Sequence, residues 1–503
     1  MCIKYILKTI ILLLVCIFIL ASCSDNKNES SEIKNEPQNN DNSAIDKFEQ
    51  PSAEESDLYA PNLPETDFEE YEFKVATNMI DWAIVNINAE EQNSEAVNDA
   101  IYQRNRNIEE KYNFIIKETE MERGTLGAKL KNLVKSGTDE YDLVLNAAGD
   151  MPSNAINNNL INLYKADYLN FDQPWWNKTI IDNFSIGDKI FFTTSDIDLS
   201  VPESVMIVLY SRKLSKDLGL ASVEEMYRLV EEDKWTFDKM SELARQAVRN
   251  VDGTGVVNPF TDIYGVTTPG PWVGNVMMTG FGEVPIKKDE DNLPYLAWKT
   301  QRYADIFEKV VLFVSQKDLI GMSVQQGGAW VLYSMDIFAA DRALFHFDNL
   351  SVVRLIREMG SDFGVLPVPK YDEIQSRYYS YCYPTNLLGI PTTVSDPNRS
   401  AFILEALSAE SRRLVIPAYY EIAIQNKYLR DETSYKMLDI ILENCAYDLN
   451  AAIYNWGGVS GMSGDLYNCY EKGNTDIASL IEKREDKVLK DMQNLIDEYN
   501  NLD

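Results

Sequence analysis

The order of periodic segments predicts an α/β fold built around parallel sheets. Three observations support this prediction: strand and helix patterns alternate from residue 71 onward, continuous apolar strands recur further along, and polar N-cap residues precede helical segments. Alternation of strands with helices favours a parallel sheet, because each helix returns the chain to the same edge. The chain has 503 residues, which exceeds one ordinary hydrophobic core. We therefore expect two lobes.

The first elements form a strand-helix-strand-helix-strand unit. Residues 71–76 alternate apolar and polar side chains, which predicts a strand. Ser94 has the position of a helix N-cap, because apolar residues follow it at helical spacing. The other members are a strand at 114–116, a helix at 126–134 and a strand at 141–146. Ligands bind beyond the carboxyl ends of such strands, so residues 78–82 and 146–150 are candidate binding loops.

The later segments continue the pattern. Residues 205–210 are a continuous apolar strand, and Thr236 is predicted to cap a helix. Further predicted elements are strands at 362–370 and 386–391, a helix at 398–409 and a C-terminal helix from about residue 475.

The N-terminus has the order of a bacterial export signal. Lys4 and Lys8 precede an apolar run, residues 10–20, which is too short to span about 30 Å of hydrocarbon. Leu20-Ala21-Ser22-Cys23 resembles the lipobox of bacterial lipoproteins, which implies removal of residues 1–22 and lipidation of Cys23. A chance cysteine after an ordinary signal peptide or membrane anchor is the alternative. Residues 23–66 would then be the acylated cysteine and a disordered tether, rich in Ser, Asn, Asp, Glu and Pro.

Composition excludes several classes of function. The chain has 47 basic and 79 acidic residues, a balance that argues against nucleic acid as a partner. The single histidine, His346, excludes most metal sites and Ser-His-Asp triads, and we expect no cofactor and no metal. Cys382, Cys445 and Cys469 remain after lipidation, an odd number without CxxC spacing; we expect buried free thiols, and a Cys445–Cys469 disulfide is the alternative.

The segments in this order resemble the family-1 extracellular solute-binding proteins of ABC importers, to which the maltose-binding protein belongs. The resemblance covers residues 70–503 and rests on the lipobox, on residues 209–214, on the Trp-Thr-Phe-Asp helix start at 235–238, and on residues 338–345 and 363–367. Residues 174–176 and 454–457 resemble the carbohydrate-type branch.

The resemblance implies a type II periplasmic-binding fold, in which two α/β lobes are joined by crossover hinge strands and hold the ligand in the cleft between them. It implies one lobe at 67–204 plus 378–410 and the other at 205–377 plus 411–503. The hinge is expected near residues 201–208, 369–379 and 411–417.

A sugar presents hydroxyl groups and an apolar C–H face, so its sites combine flat aromatic rings with carboxylates and amides. On this basis Asp81 and Trp82 are candidates after the first strand, and Asp150 is a candidate after the third, unless it caps a helix. Trp272 lies in a flexible segment rich in glycine and proline. Further candidates are Asp196 after a strand, Tyr383 before a first-lobe strand, and, by the resemblance, Asp348 and Trp456. Trp175, Trp176 and His346 are expected to be structural.

These observations predict a receptor that is not an enzyme. It would bind a carbohydrate and deliver it to the permease subunits of an ABC importer, as a monomer anchored by lipid to the extracellular face of the cell membrane. A receptor for a peptide or another solute on the same fold is one alternative. A lipid-anchored glycoside hydrolase is the other, because catalysis by two carboxylates needs no histidine.

Overall fold

The structure is a computed structural model, and it describes residues 59–383, 385–425, 432–457 and 461–502. The predicted export signal, Cys23 and most of the predicted tether lie outside the described residues. Within the described residues, no helix combines the length and the apolar character needed to cross a bilayer.

Strands and helices alternate over most of the described chain. The strands are β1 Tyr71–Asn78, β2 Phe114–Met121, β3 Leu143–Ala147, β4 Met206–Ser211, β5 Tyr264–Thr268, β6 Ile286–Lys288, β7 Pro294–Leu296, β8 Ile320–Met322, β9 Val324–Gln326, β10 Ala329–Leu332, β11 Ala343–Asn349, β12 Phe363–Leu366, β13 Ser380–Tyr381, β14 Asn386–Gly389 and β15 Cys445–Ala446. The helices are α1 Ala96–Tyr112, α2 Leu126–Ser136, α3 Met151–Ile156, α4 Lys178–Phe184, α5 Ser200–Glu203, α6 Arg212–Leu218, α7 Val223–Glu231, α8 Phe237–Ala247, α9 Val273–Gly280, α10 Gln301–Val314, α11 Ser334–Ala339, α12 Val352–Leu355, α13 Pro397–Gln425, α14 Glu432–Glu443, α15 Met462–Lys472 and α16 Ile477–Asn501.

The first sheet has the order β14-β3-β1-β2. Its strands β1, β2 and β3 are parallel, and β14 joins β3 in the antiparallel sense. This is the predicted strand-helix-strand-helix-strand unit, to which the chain adds one strand from much later in the sequence. The predicted cap of α1 is displaced by one residue: Ser94 has a positive φ of 70°, and Glu95 occupies the N-cap position without a side-chain hydrogen bond.

The second sheet has the order β12-β4-β11-β5-β8 and is mixed. Strand β5 is parallel to β11 and β8, whereas β4 is antiparallel to β11 and β12. Thr236 caps α8 as predicted, because its Oγ1 accepts a hydrogen bond from the Lys239 backbone N–H at 3.3 Å. The single histidine, His346, lies on β11 and is completely buried, in agreement with its predicted structural role.

Helix α13 is longer than the predicted helix at 398–409. It continues through residues 411–417, where the resemblance implied a hinge segment, and it contains Pro417. Within it the buried Glu405 accepts a hydrogen bond from Trp176 Nε1 at 2.9 Å. Trp175 and Trp176 are 1% and 4% exposed, so the prediction that both are structural is confirmed.

The three cysteines within the described residues are free thiols. Strands β13 and β15 pair in parallel, and the Cys382 N–H donates to the Ala446 carbonyl at 2.9 Å, which brings Cys382 beside Cys445. Cys382 also lies 3.2 Å from Ser204 Oγ. The sequence left open a Cys445–Cys469 disulfide. In the structure both residues are free thiols, and Cys445 lies beside Cys382 instead.

Candidate functional site

A cavity of about 570 Å³ lies where the carboxyl ends of strands from both sheets meet. Trp82 follows β1 and Gly149 follows β3 in the first sheet, and Trp272 follows β5 in the second. These are parallel strands, whose carboxyl ends are the usual location of ligand sites in such sheets. The structure therefore brings residues of both predicted binding loops of the first sheet, and the candidate Trp272 from the second sheet, to one cavity.

Five aromatic side chains line this cavity: Trp82, Trp272, Tyr381, Tyr383 and Tyr467. Trp272 stands immediately before α9, and its ring folds back over Gly270. A Cβ at Gly270 would lie 3.2 Å from Trp272 Cδ1, so glycine at this position leaves room for the ring. Of the two tyrosines from this segment, Tyr383 is 44% exposed, whereas Tyr381 is buried.

The polar side chains that line the cavity carry hydroxyl and amide groups rather than charges. They are Ser204, Asn349, Asn455 and Ser463. Asn455 follows the π-helix Asn450–Tyr454 with a positive φ of 46°, a conformation that asparagine tolerates better than most residues. Ser463 Oγ accepts a hydrogen bond from Asn450 Nδ2 at 2.9 Å, which ties the start of α15 to the π-helix.

The π-helix is held in place by a buried carboxylate. Asp448 Oδ1 accepts hydrogen bonds from the backbone N–H groups of Asn450 at 3.0 Å and Ala451 at 3.2 Å. Burial raises the pKa of Asp448 to about 6, although these two hydrogen bonds oppose the shift. Asp448 therefore supports the wall to which Ala451, Ile453 and Asn455 belong.

Three of the residues predicted from the sequence line the cavity, namely Trp82, Trp272 and Tyr383. Asp150 does not, although the adjacent Gly149 does. Asp150 occupies the N-cap position of α3 without a side-chain cap bond, and its carboxyl group packs against Gly127. Burial raises the pKa of Asp150.

The other predicted aspartates lie apart from the cavity lining. Asp196 forms an ion pair with Arg412, whose Nη1 lies 3.4 Å from Asp196 Oδ2. Asp348 Oδ2 lies 3.3 Å from His346 Nε2, while the next residue, Asn349, lines the cavity. Asp81 is exposed to solvent.

Trp456 is also not among the lining residues. It is 4% exposed, and its ring stacks on Tyr454 with centroids 4.6 Å apart and planes 9° from parallel. The neighbouring Asn455 lines the cavity instead. Trp456 therefore stacks on another side chain of the protein, Tyr454.

Sequence reasoning missed several lining residues. Tyr467 and Ser463 belong to α15, a helix for which no pattern was identified. Tyr381 carried a usable signal, because it stands two residues before Tyr383 in an extended segment and two-residue spacing places side chains on the same face. Within the described residues, no group of three or more His, Cys, Asp or Glu side chains is suited to hold a metal ion.

A second cavity, of about 470 Å³, lies beside residues 84–101 and 350–357. Glu203 and Arg354 line it, together with Ile84 and Tyr419. Glu203 is 1% exposed and forms an ion pair with Arg354.

Neither a family model nor a curated protein matches the sequence. Solved structures do match the fold. A cyclo/maltodextrin-binding protein complexed with maltotetraose superposes with a TM-score of 0.56 at 12% identity, covering 86% of this chain and 98% of that one. UspC of M. tuberculosis gives a TM-score of 0.54 at 11% identity, with 83% and 100% covered.

An ABC substrate-binding protein of Listeria monocytogenes, Lmo0181, was solved in complex with cycloalternan. It superposes with a TM-score of 0.51 at 11% identity, and the match covers 86% of this chain and 98% of that one. At these identities the likeness concerns the fold. The chain therefore has the type II periplasmic-binding fold of ABC-transporter solute-binding proteins, as its resemblance to that family predicted.

Proposed function

We propose that this protein is a receptor that binds a sugar or oligosaccharide in the 570 Å³ cavity and delivers it to an ABC importer. The observation that carries the proposal is the meeting of Trp82 and Trp272, from different sheets, on one cavity. Flat aromatic rings stack on the apolar C–H face of a sugar ring, and hydroxyl and amide groups hydrogen-bond its hydroxyls. The cavity volume lies within the range of about 300 to 1,000 Å³ that small-molecule sites occupy.

The lining favours an uncharged ligand. None of the described residues around this cavity is Asp, Glu, Lys, Arg or His. A peptide brings charged termini, whose burial without a partner is costly, so the lining suits a sugar better than a peptide. A glycoside hydrolase needs two carboxyl groups on either side of the scissile bond, and the lining supplies no such pair.

We also propose that the ligand is enclosed between the two lobes expected from the sequence, 67–204 plus 378–410 and 205–377 plus 411–503. A ligand that contacts both walls binds the closed arrangement better and shifts the population by that difference. Trp82 and Gly149 would belong to the first lobe, and Trp272 and Tyr467 to the second.

A thermal-shift screen of mono- and oligosaccharides tests the proposed function. A ligand present at about 100 times its Kd adds about 2.7 kcal/mol to the free energy of unfolding, which is readily detected. We expect at least one sugar to raise the melting temperature. A response to a peptide pool with none to any sugar would favour the peptide receptor, and release of reducing ends from a polysaccharide would favour the hydrolase.

The lipid anchor is a separate part of the proposal. We propose that Cys23 is acylated and holds the protein on the extracellular face of the membrane. Cys23→Ala should then move the protein from the membrane fraction to the soluble fraction, because the acylation chemistry requires the thiol, while the melting temperature stays unchanged. Retention of the variant in membranes after a high-salt wash would contradict the anchor.

A further inference from the structure

Arg354 connects the hinge to the loop that carries Trp82. Its Nη2 donates to the backbone carbonyl of Trp82 at 2.8 Å. The same guanidinium donates to Glu203 Oε1 through Nε and Nη2, each at 3.3 Å. Glu203 Oε2 in turn accepts a hydrogen bond from the backbone N–H of Ile84 at 2.7 Å. Two side chains therefore bind the loop on both sides of residue 83.

The position of Arg354 is itself fixed by the backbone. Helix α12, which carries Arg354, follows β11 of the second sheet, and the Ser351 N–H before it donates to the Glu203 carbonyl at 3.2 Å. Leu350 N–H donates to the Val205 carbonyl at 2.8 Å. The guanidinium thus reaches a first-sheet loop from a helix that is attached to residues 203–205, in the segment expected to form the hinge.

The polar contacts of the loop lie beside a cavity. Ile84, Glu203 and Arg354 all border the 470 Å³ cavity, whereas the next loop residue, Val85, is buried. Burial raises the pKa of Glu203 while Arg354 opposes that shift, as expected of an ion pair whose carboxylate is buried. Charge-assisted hydrogen bonds of this type are about twice as strong as neutral ones.

We propose that Arg354 is a positioning residue that holds the Trp82 loop in the conformation presenting the indole ring to the ligand cavity. The inference rests on the proposed function, since that proposal assigns Trp82 to the sugar site. Arg354 does not line the ligand cavity, so its effect on the ligand passes through the backbone carbonyl of Trp82 and through Glu203.

The test compares the wild type with an Arg354→Gln/Glu203→Gln double variant. Changing both residues avoids leaving a buried carboxylate without its partner, which could unfold the protein. Hydrogen exchange of the peptide that contains Ile84 reports directly on the loop in the absence of ligand. The affinity for the sugar found by the thermal-shift screen is measured on the same proteins by titration calorimetry.

We expect faster exchange at the Ile84 peptide and an affinity about tenfold weaker, the factor that the loss of one charge-assisted hydrogen bond implies. Arg413→Gln is the matched control, because Arg413 is similarly buried and pairs with Glu410 within α13, away from both cavities. This variant should change neither measurement. Arg354→Lys, which keeps the charge but not the planar fork, should fall between the wild type and the double variant.

Unchanged exchange at the Ile84 peptide in the double variant would overturn the inference. Faster exchange with unchanged affinity for a sugar that binds the wild type would also overturn it, because the loop position would then not matter to the ligand. If the wild type bound no sugar, the proposed function would fall, whereas faster exchange would still support the role of Arg354 in holding the loop.

Discussion

At the scale of single residues, burial separates tryptophans that the sequence could not distinguish. Trp272 and Trp456 both lie beside glycines, and both were candidates for stacking on a ligand. The structure leaves Trp272 partly exposed in the cavity wall and encloses Trp456 against Tyr454. The two residues should therefore respond differently to truncation.

Trp272→Ala should weaken sugar binding by about 1 to 3 kcal/mol, the usual loss when an aromatic contact in a binding site is removed. The melting temperature without ligand should fall less than for a fully buried tryptophan, because the ring packs against the core but is partly exposed. Titration calorimetry and thermal melting measure the two effects. Tyr295→Ala is the control, since Tyr295 is 44% exposed and outside the cavity lining; an equal loss of affinity in both variants would contradict the assignment.

Trp456→Ala should lower the free energy of unfolding by about 3 to 5 kcal/mol, as large-to-small changes of buried aromatic residues do. Denaturant titration measures this change, and Trp330→Ala, at a site 49% exposed, should cost far less. If Trp456→Ala left stability unchanged but abolished sugar binding, Trp456 would belong to the site after all.

At the scale of elements, several strands and helices with a clear local periodicity were predictable from the sequence. Some elements from later in the chain were not. The strand at 71–76, the helix from 126 and the cap at Thr236 were all found, because alternation, helical spacing and capping are local properties. Helix α15 was missed although Met462, Leu466 and Tyr470 recur in it at helical spacing, and the five-residue π-helix is too short to show a period. The site was predicted in part from local signals: Trp82 follows a predicted strand and Trp272 lies among glycines and proline, whereas Tyr467 reaches the cavity only through tertiary packing.

The cap of α8 offers a test of one such local property. Thr236→Ala removes the oxygen that accepts the Lys239 N–H and should cost about 1 kcal/mol of stability. Thr236→Ser retains that oxygen and should cost much less. Denaturant midpoints of the two variants decide the matter, and equal midpoints would show that the hydroxyl contributes nothing.

At the scale of the whole molecule, buried carboxyl groups determine how stability depends on pH. Burial raises the pKa of Asp196 and Glu405 to about 7, and that of Asp198 and Asp448 to about 6. Between the ordinary carboxyl pKa and these values, the folded state binds protons that the unfolded state has released. The free energy of unfolding must therefore fall as pH rises through this window.

Melting temperature should accordingly decrease from about pH 4 to about pH 7. The formal net charge of −32 acts in the same direction, because self-repulsion grows as carboxyl groups ionise. Glu405→Gln isolates one buried group: the amide can still accept the hydrogen bond from Trp176 but does not titrate, so the slope should become shallower. A melting temperature that rises over this range would contradict the assignment of raised pKa values.

The first sheet takes its fourth strand, β14, from residues 386–389, whereas its other strands lie between residues 71 and 147. Pairing across such a sequence separation is slow, because closing a long loop costs conformational entropy before any stabilising contact forms. The edge of β3 therefore stays unpaired while the intervening residues are synthesised. Under the proposed export of this chain, the first sheet would therefore remain incomplete until most of the polypeptide has been made.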